Sequence, residues 1–237
     1  MSSSLLYARS YPVNDKISVT IPTVGQILKD EDAYGGLITA VTSTPYDFMV
    51  QLDDVGIDFS KITSFELFLL LFRGLQEVDT SLVFGELDLS GFKTAVNEQN
   101  GQVVLFDEEK DIVIDRAIHD KISRILRQIN HLKKNDQKPG NEMARKYMIE
   151  RARIKQQRAR RHKRRSQLED LIVAMVNTEQ YKYDFEGTLG LTIYQFNSCV
   201  YQVIKKINYD NTMIGYYTGS ISAENISQDD LNWLNIK

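Results

Sequence analysis

The sequence predicts a mainly helical α+β protein: helical N- and C-terminal parts, a small antiparallel β-hairpin sheet and a long central basic helical hairpin. Three observations lead there. Thr23 with Gln26, Thr63 with Glu66 and Thr192 with Gln195 have the spacing of capping boxes, in which hydroxyl and amide or carboxylate satisfy each other's orphan N–H groups. Asn100-Gly101 sits between runs rich in Val, Leu and Phe, and this dipeptide tolerates the positive φ of a tight hairpin turn. Residues 141–177 contain neither Pro nor Gly and are rich in Arg, Lys, Gln, Ala, Met and Leu, all good helix formers.

In chain order, 16–21 (KISVTI) reads as a short strand, and Thr23 opens a short helix. Asp30, Glu31 and Asp32 suit the first turn of the next helix, where acids meet the positive end of the dipole. Thr44-Pro45 is a start signal for a helix over 46–54 that stops at Gly56. The helix SFELFLLLFRGLQ after Thr63 is apolar nearly all round, which places it at the centre of the N-terminal core. Residues 81–84, 92–96 and 103–106 read as strands. Asp115 caps a helix whose Ile118, Ile122, Ile125, Ile129 and Leu132 form a heptad seam. The breaker NDQKPG (135–140) then leads into the basic helix, with Met143, Tyr147 and Ile154 near its start and Leu168, Leu171, Ile172, Met175 and Val176 packing its end. Residues 181–185 read as a strand and 193–207 as a helix; 209–222 is aromatic and glycine-punctuated, and a last short helix starts at Ser227. The organisation is an acidic N-terminal part (1–114), a helical hairpin with a basic arm (115–177), and a C-terminal helical part (178–237) packing on the first.

Charge is distributed unevenly. The whole chain is −3, yet residues 145–165 carry eleven cations against the single anion Glu150. Residues 1–115 hold 19 acids and 7 bases, so an acidic globular part adjoins a strongly basic segment. That asymmetry calls for a polyanionic ligand or a charge-matched protein. Apolar content of 42% and charged content of 26% fit a soluble globular protein, and the one cysteine, Cys199, excludes an intramolecular disulfide. No apolar run approaches the ~20 residues needed to span a bilayer, and the N-terminus has no signal-peptide pattern. A soluble intracellular protein with no membrane role is expected.

Catalytic signatures do not emerge. His119 and His131 read as exposed helical positions and His162 lies inside the Arg run, so a metal triad is not expected. There is no phosphate-binding loop of the GxxxxGK[ST] or GxGxxG kind. Asp53, Asp54 and Asp107 are the carboxylates an enzyme would need in one pocket. The expectation is no enzyme, no cofactor and no metal.

Attention therefore falls on Arg151, Arg153, Lys155, Arg158, Arg160, Arg161, Lys163, Arg164 and Arg165 as partner- or phosphate-binding residues. Between 155 and 167 there is no large apolar side chain, so this part offers the core nothing and should overhang. A solvated face is the plain reading of a charge run, but this one repels itself and lacks acids at i,i+4. Nucleic acid is the alternative partner, bound through phosphates without sequence preference. Docking on an acidic protein surface is favoured, because interleaved aromatics and base-reading residues are missing near the run.

The runs IPTVGQIL, TSTPYDFMVQLDDVGIDF, ELFLLLF, LTIYQFNSCVYQVIKK and DDLNWL resemble proteins of bacteriophage tail gene modules. The short acidic N-terminal helices and the later IYQF helix are similar to tail-assembly chaperones and minor tail structural proteins, over residues 17–75 and 181–235. The resemblance implies a non-enzymatic tail-assembly or virion structural protein. Its partners would be other phage tail proteins (tape measure, tail tube or baseplate) or further copies of itself. It would act in the host cytoplasm during assembly or in the virion. The basic arm at 141–167 departs from the usual chaperone layout and fits a virion protein with a projecting arm equally well.

Overall fold

Residues 4–97, 101–160, 166–227 and 231–234 are described by a computed structural model of the chain. Strands β1 (Ser10–Pro12) and β2 (Ser18–Thr20) form an antiparallel pair with Tyr11 opposite Val19. There follow α1 (Val24–Leu28), α2 (Glu31–Thr42), α3 (Met49–Asp54), α4 (Ser64–Leu75) and the one-turn α5 (Ser81–Phe84). The sheet β3 (Lys93–Val96), β4 (Val103–Asp107) and β5 (Ile112–Ile114) is antiparallel in that order. Helices α6 (Arg116–Ile129), α7 (Glu142–Arg160), α8 (Gln167–Val176), α9 (Phe185–Gly190) and α10 (Ile193–Tyr217) complete the described chain, with a 3-10 turn at Ala223–Asn225. The fold is mixed α+β and mainly helical.

The local signals are made in full where the sequence placed them. Thr23–Gln26, Thr63–Glu66 and Thr192–Gln195 are reciprocal capping boxes, and Asp30 and Asp115 cap α2 and α6 through their carboxylates. β3 pairs with β4 in the register Lys93–Phe106 to Val96–Val103, and Gly101 has the positive φ the turn needs (+69°). The two threonine caps Thr23 and Thr192 also bridge each other: Val24 N–H donates to Leu191 O and Ile193 N–H to Pro22 O, both at 2.9 Å. The start of α10 is thereby tied to the start of α1.

Some expectations are corrected. Residues 81–84 form a helical turn instead of a strand, because the Asp79 carboxylate accepts from Ser81 N–H and folds the chain there. Residues 181–184 are not a strand; Asp184 instead caps α9 through Gly187 N–H. Residues 46–48 remain a turn and α3 starts at Met49. Helix α10 continues ten residues past Ile207, to Tyr217. The last helix expected from Ser227 falls partly outside the described residues.

Two apolar clusters hold the described residues together. The larger gathers β1–β2, α1, α2, one side of α4, the three-stranded sheet, α6, α8 and the first half of α10, with Val19, Leu105, Ile129 and Phe196 fully buried. The smaller unites Met49, Val50, Leu52, Phe59, Leu67 and Ile149. Helix α4 serves both, Phe65, Phe68 and Phe72 facing the first and Leu67 the second, which explains its nearly all-apolar sequence. The seam of α6 packs on α2, α4, β2, β5 and α10. Helix α7 packs on α3.

His119 is another correction: it is 1% exposed. Its ring stacks on Phe68 at 4.5 Å between centroids and lies 5.5 Å from Phe65, with Nε2 donating to the Val41 carbonyl at 3.2 Å. Burial pushes its pKa from 6.5 down to about 4. Between those values the unfolded chain binds the proton and the folded one does not, so stability present above pH 6.5 falls as pH drops through this window. At 1.36 kcal/mol per pKa unit, wild type should lose about 2 kcal/mol more than His119→Gln between about pH 7 and about pH 5 in urea melts. Equal losses in both chains would contradict a neutral buried imidazole.

Candidate docking arm

Helix α7 follows the loop after α6 and opens with Asn141, whose side-chain oxygen accepts from Ala144 N–H at 2.8 Å. Its residues divide by spacing into two faces. Arg145, Met148, Ile149, Ala152 and Arg153 recur at three- and four-residue steps on the side toward α3. Ile149 is 6% exposed in the smaller cluster, and Met148 and Ala152 pack beside it. Met143, Tyr147, Arg151, Ile154 and Arg158 follow each other at steps of four and three on the opposite side. There Met143 is 82% and Tyr147 59% exposed. The apolar residues the sequence marked at the start of this helix are thus its outward ones, while the anchor is Ile149.

Ion pairs reinforce the docked face. Arg153 bonds Asp54 at 2.7 Å and Asp53 at 3.1 Å. Both acids lie in the last turn of α3, where the negative end of the helix dipole disfavours them, and the guanidinium offsets that. The Asp54 bond, then that of Asp53, holds Arg153 above its usual pKa. Arg145 bonds Glu142 at 2.8 Å and lies 3.9 Å from Asp58. The Glu142 bond in turn raises Arg145, while Arg145 lowers Glu142. Asp58 is also lowered, first by its bond from the Ser60 hydroxyl and only then by Arg145.

The nine residues singled out in the sequence therefore divide. Arg153 is engaged within the chain and holds the arm in place. Arg151, Lys155 and Arg158 are exposed, Arg151 with its guanidinium 5.7 Å from the ring centroid of Tyr147. Arg160 ends α7, and its side chain, like Arg161, Lys163, Arg164 and Arg165, lies outside the described residues. The chain resumes at Ser166, which caps α8 through Glu169 N–H. Ser166 also donates its hydroxyl to Glu31 of α2, and Leu168 N–H donates to the same carboxylate at 3.1 Å. An α2 acid thus completes the N-terminus of α8.

The carboxylates considered for catalysis are engaged separately. Asp53 and Asp54 hold Arg153, whereas Asp107 is buried at the end of β4, accepts from Glu109 and Lys110 N–H groups, and faces the Lys110 ammonium at 3.6 Å. Among the described residues no three His, Cys, Asp or Glu side chains gather in a metal-holding arrangement, and no helix is long and apolar enough to cross a membrane. The sequence reading missed Ile149 and the role of Asp53 and Asp54. The 145–149–152 periodicity carried the first signal; the second is a contact across 100 residues that no local pattern reveals.

A family model described as the YomV second domain matches residues 155–236. This stretch, about a third of the chain, takes in the outer end of α7 and all of α8 to α10. YomV is a Bacillus phage-derived protein, and the similarity points to a phage origin. No curated protein and no solved structure matches the chain.

Proposed function

We propose that the chain is a non-enzymatic phage protein that works through protein–protein contacts in tail assembly or in the virion, with α7 as its docking arm. It would act in the host cytoplasm during assembly, or remain in the particle, with tape measure, tail tube or baseplate proteins as partners. The observation that carries this reading is the two-faced α7. One face is fixed by Ile149 and Arg153, and the other presents Met143, Tyr147 and Ile154 among Arg151 and Arg158. Apolar side chains edged by arginine are the composition of a protein interface, in which aromatics, Met and Arg are enriched. A surface that only tracks phosphates would gain little from Met143 and Ile154. The similarity of residues 155–236 to a phage-derived domain supports the setting.

Nucleic acid is the competing partner, since the cations of the arm could neutralise phosphates. Titrating a generic DNA duplex and a single strand into the purified protein at near-physiological salt separates the two. Protein docking predicts no stoichiometric complex under these conditions. Tight, stoichiometric binding, with log K falling against log salt by about 0.9 for each phosphate neutralised on duplex, would overturn the reading.

A further inference from the structure

Between α2, α4 and the start of α8 lies a cleft of about 1320 Å³. Leu37, Ala40, Leu71, Leu75 and Leu171 line it with apolar side chains, and its acids are Glu169 together with Asp30 and Glu31, whose carboxylates also cap α2 and the start of α8. Three helical glycines, Gly35 and Gly36 of α2 and Gly74 of α4, line it as well, and a Cβ built on any of them would meet nothing within 4 Å. Glycine inside a helix is destabilising relative to alanine, and its gain here is a smooth wall that another backbone can approach closely. Apolar lining, acids and small residues together describe a seat for a helix with an apolar stripe flanked by cations.

The outward face of α7 is such a helix. From Met143 to Arg158 it runs about 22 Å at 1.5 Å per residue, with apolar Met143, Tyr147 and Ile154 beside Arg151, Lys155 and Arg158. Within one chain this helix is pinned on α3 by its opposite face, which leaves the stripe for another molecule. We propose that the stripe of one copy seats in this cleft of a second copy, so that the chains associate head to tail. This rests on the reading of α7 as a protein-docking arm. Because stripe and cleft are different surfaces, the contact is heterologous: it propagates, closing into a ring or extending as a filament according to the rotation between copies.

Two variants test it by sedimentation velocity of the full chain over a range of concentrations at near-physiological salt. In Arg151→Glu/Arg158→Glu the stripe is reversed. In Gly35→Leu/Gly74→Leu the cleft is filled by side chains that start in open space, and a thermal melt checks that the fold is kept. Wild type should assemble with rising concentration, and each variant alone should need about 100-fold more protein or remain monomeric. An equimolar mixture of the variants should give a dimer and stop there, since it offers one intact stripe and one intact cleft per pair. Wild type that stays monomeric throughout, or a filled cleft that assembles like wild type, would overturn the head-to-tail contact. In either case loss of tail-protein binding by the stripe-reversed chain would still sustain the docking-arm reading.

Discussion

Replacing Ile149 by aspartate is expected to lift α7 off α3. The side chain sits 6% exposed among Met49, Val50, Leu52, Phe59 and Leu67. Truncating a buried aliphatic to alanine costs about 2–5 kcal/mol, and a carboxylate adds the desolvation of an unpaired charge. Among the described residues only six form the buried part of this cluster, and of these Ile149 alone comes from α7. Detachment is therefore the low-energy response: in Ile149→Asp, α7 swings out so that water reaches the new carboxylate, and the larger cluster persists. Hydrogen exchange should show amides over 145–158 exchanging near the intrinsic rate while β4 and α6 remain protected. Protected α7 amides in this variant would mean that the arm is held by something other than Ile149.

The second large effect is on association. Reversing Arg151, Lys155 and Arg158 to glutamate removes three outward cations and puts three anions before an acidic partner. Charge pairs across an interface govern encounter and, where desolvated, residence, and a change of about 3 kcal/mol over three reversals is about a 100-fold loss of affinity. The fold should hardly notice. None of the three belongs to either apolar cluster, and surface substitutions usually fall within about 0.5 kcal/mol each. Arg151 and Lys155 already form a like-charge i,i+4 pair, so exchanging them for two glutamates keeps the local repulsion as it was. Arg153 differs: it bonds Asp53 and Asp54, and Arg153→Glu should loosen the arm itself.

What could be read from the sequence was what is decided locally. Capping boxes close within four residues, so Thr23, Thr63 and Thr192 announced their helices, and Gly101 announced its turn. The nearly all-apolar α4 announced its position between the two clusters, although Leu70, on the side neither covers, is 54% exposed. The errors came where a short β-rich run met a local side-chain bond: Asp79 accepts from Ser81 N–H at the turn into 81–84, and Asp184 caps the helix that follows 181–183. His119 was misread because a polar residue on the buried side of an amphipathic helix looks like an exposed one until Phe65 and Phe68 are known to face it. The candidate arm was legible as charge and as helix. Which of its faces docks was not, since that depends on Asp53 and Asp54 of α3 and on the pocket that takes Ile149.

The claim at the centre of the account is that the outward cations of α7 serve protein docking. The most direct measurement immobilises wild type and the Arg151→Glu/Lys155→Glu/Arg158→Glu chain side by side and offers each the proposed partners, purified tape measure, tail tube and baseplate proteins, at near-physiological salt. Thermal melts of both chains run alongside. Equal melting temperatures are expected, with at least one tail protein retained by wild type and released by the reversed chain. Equal retention by both chains at equal stability would contradict that claim and leave the cations of α7 as a solvated face.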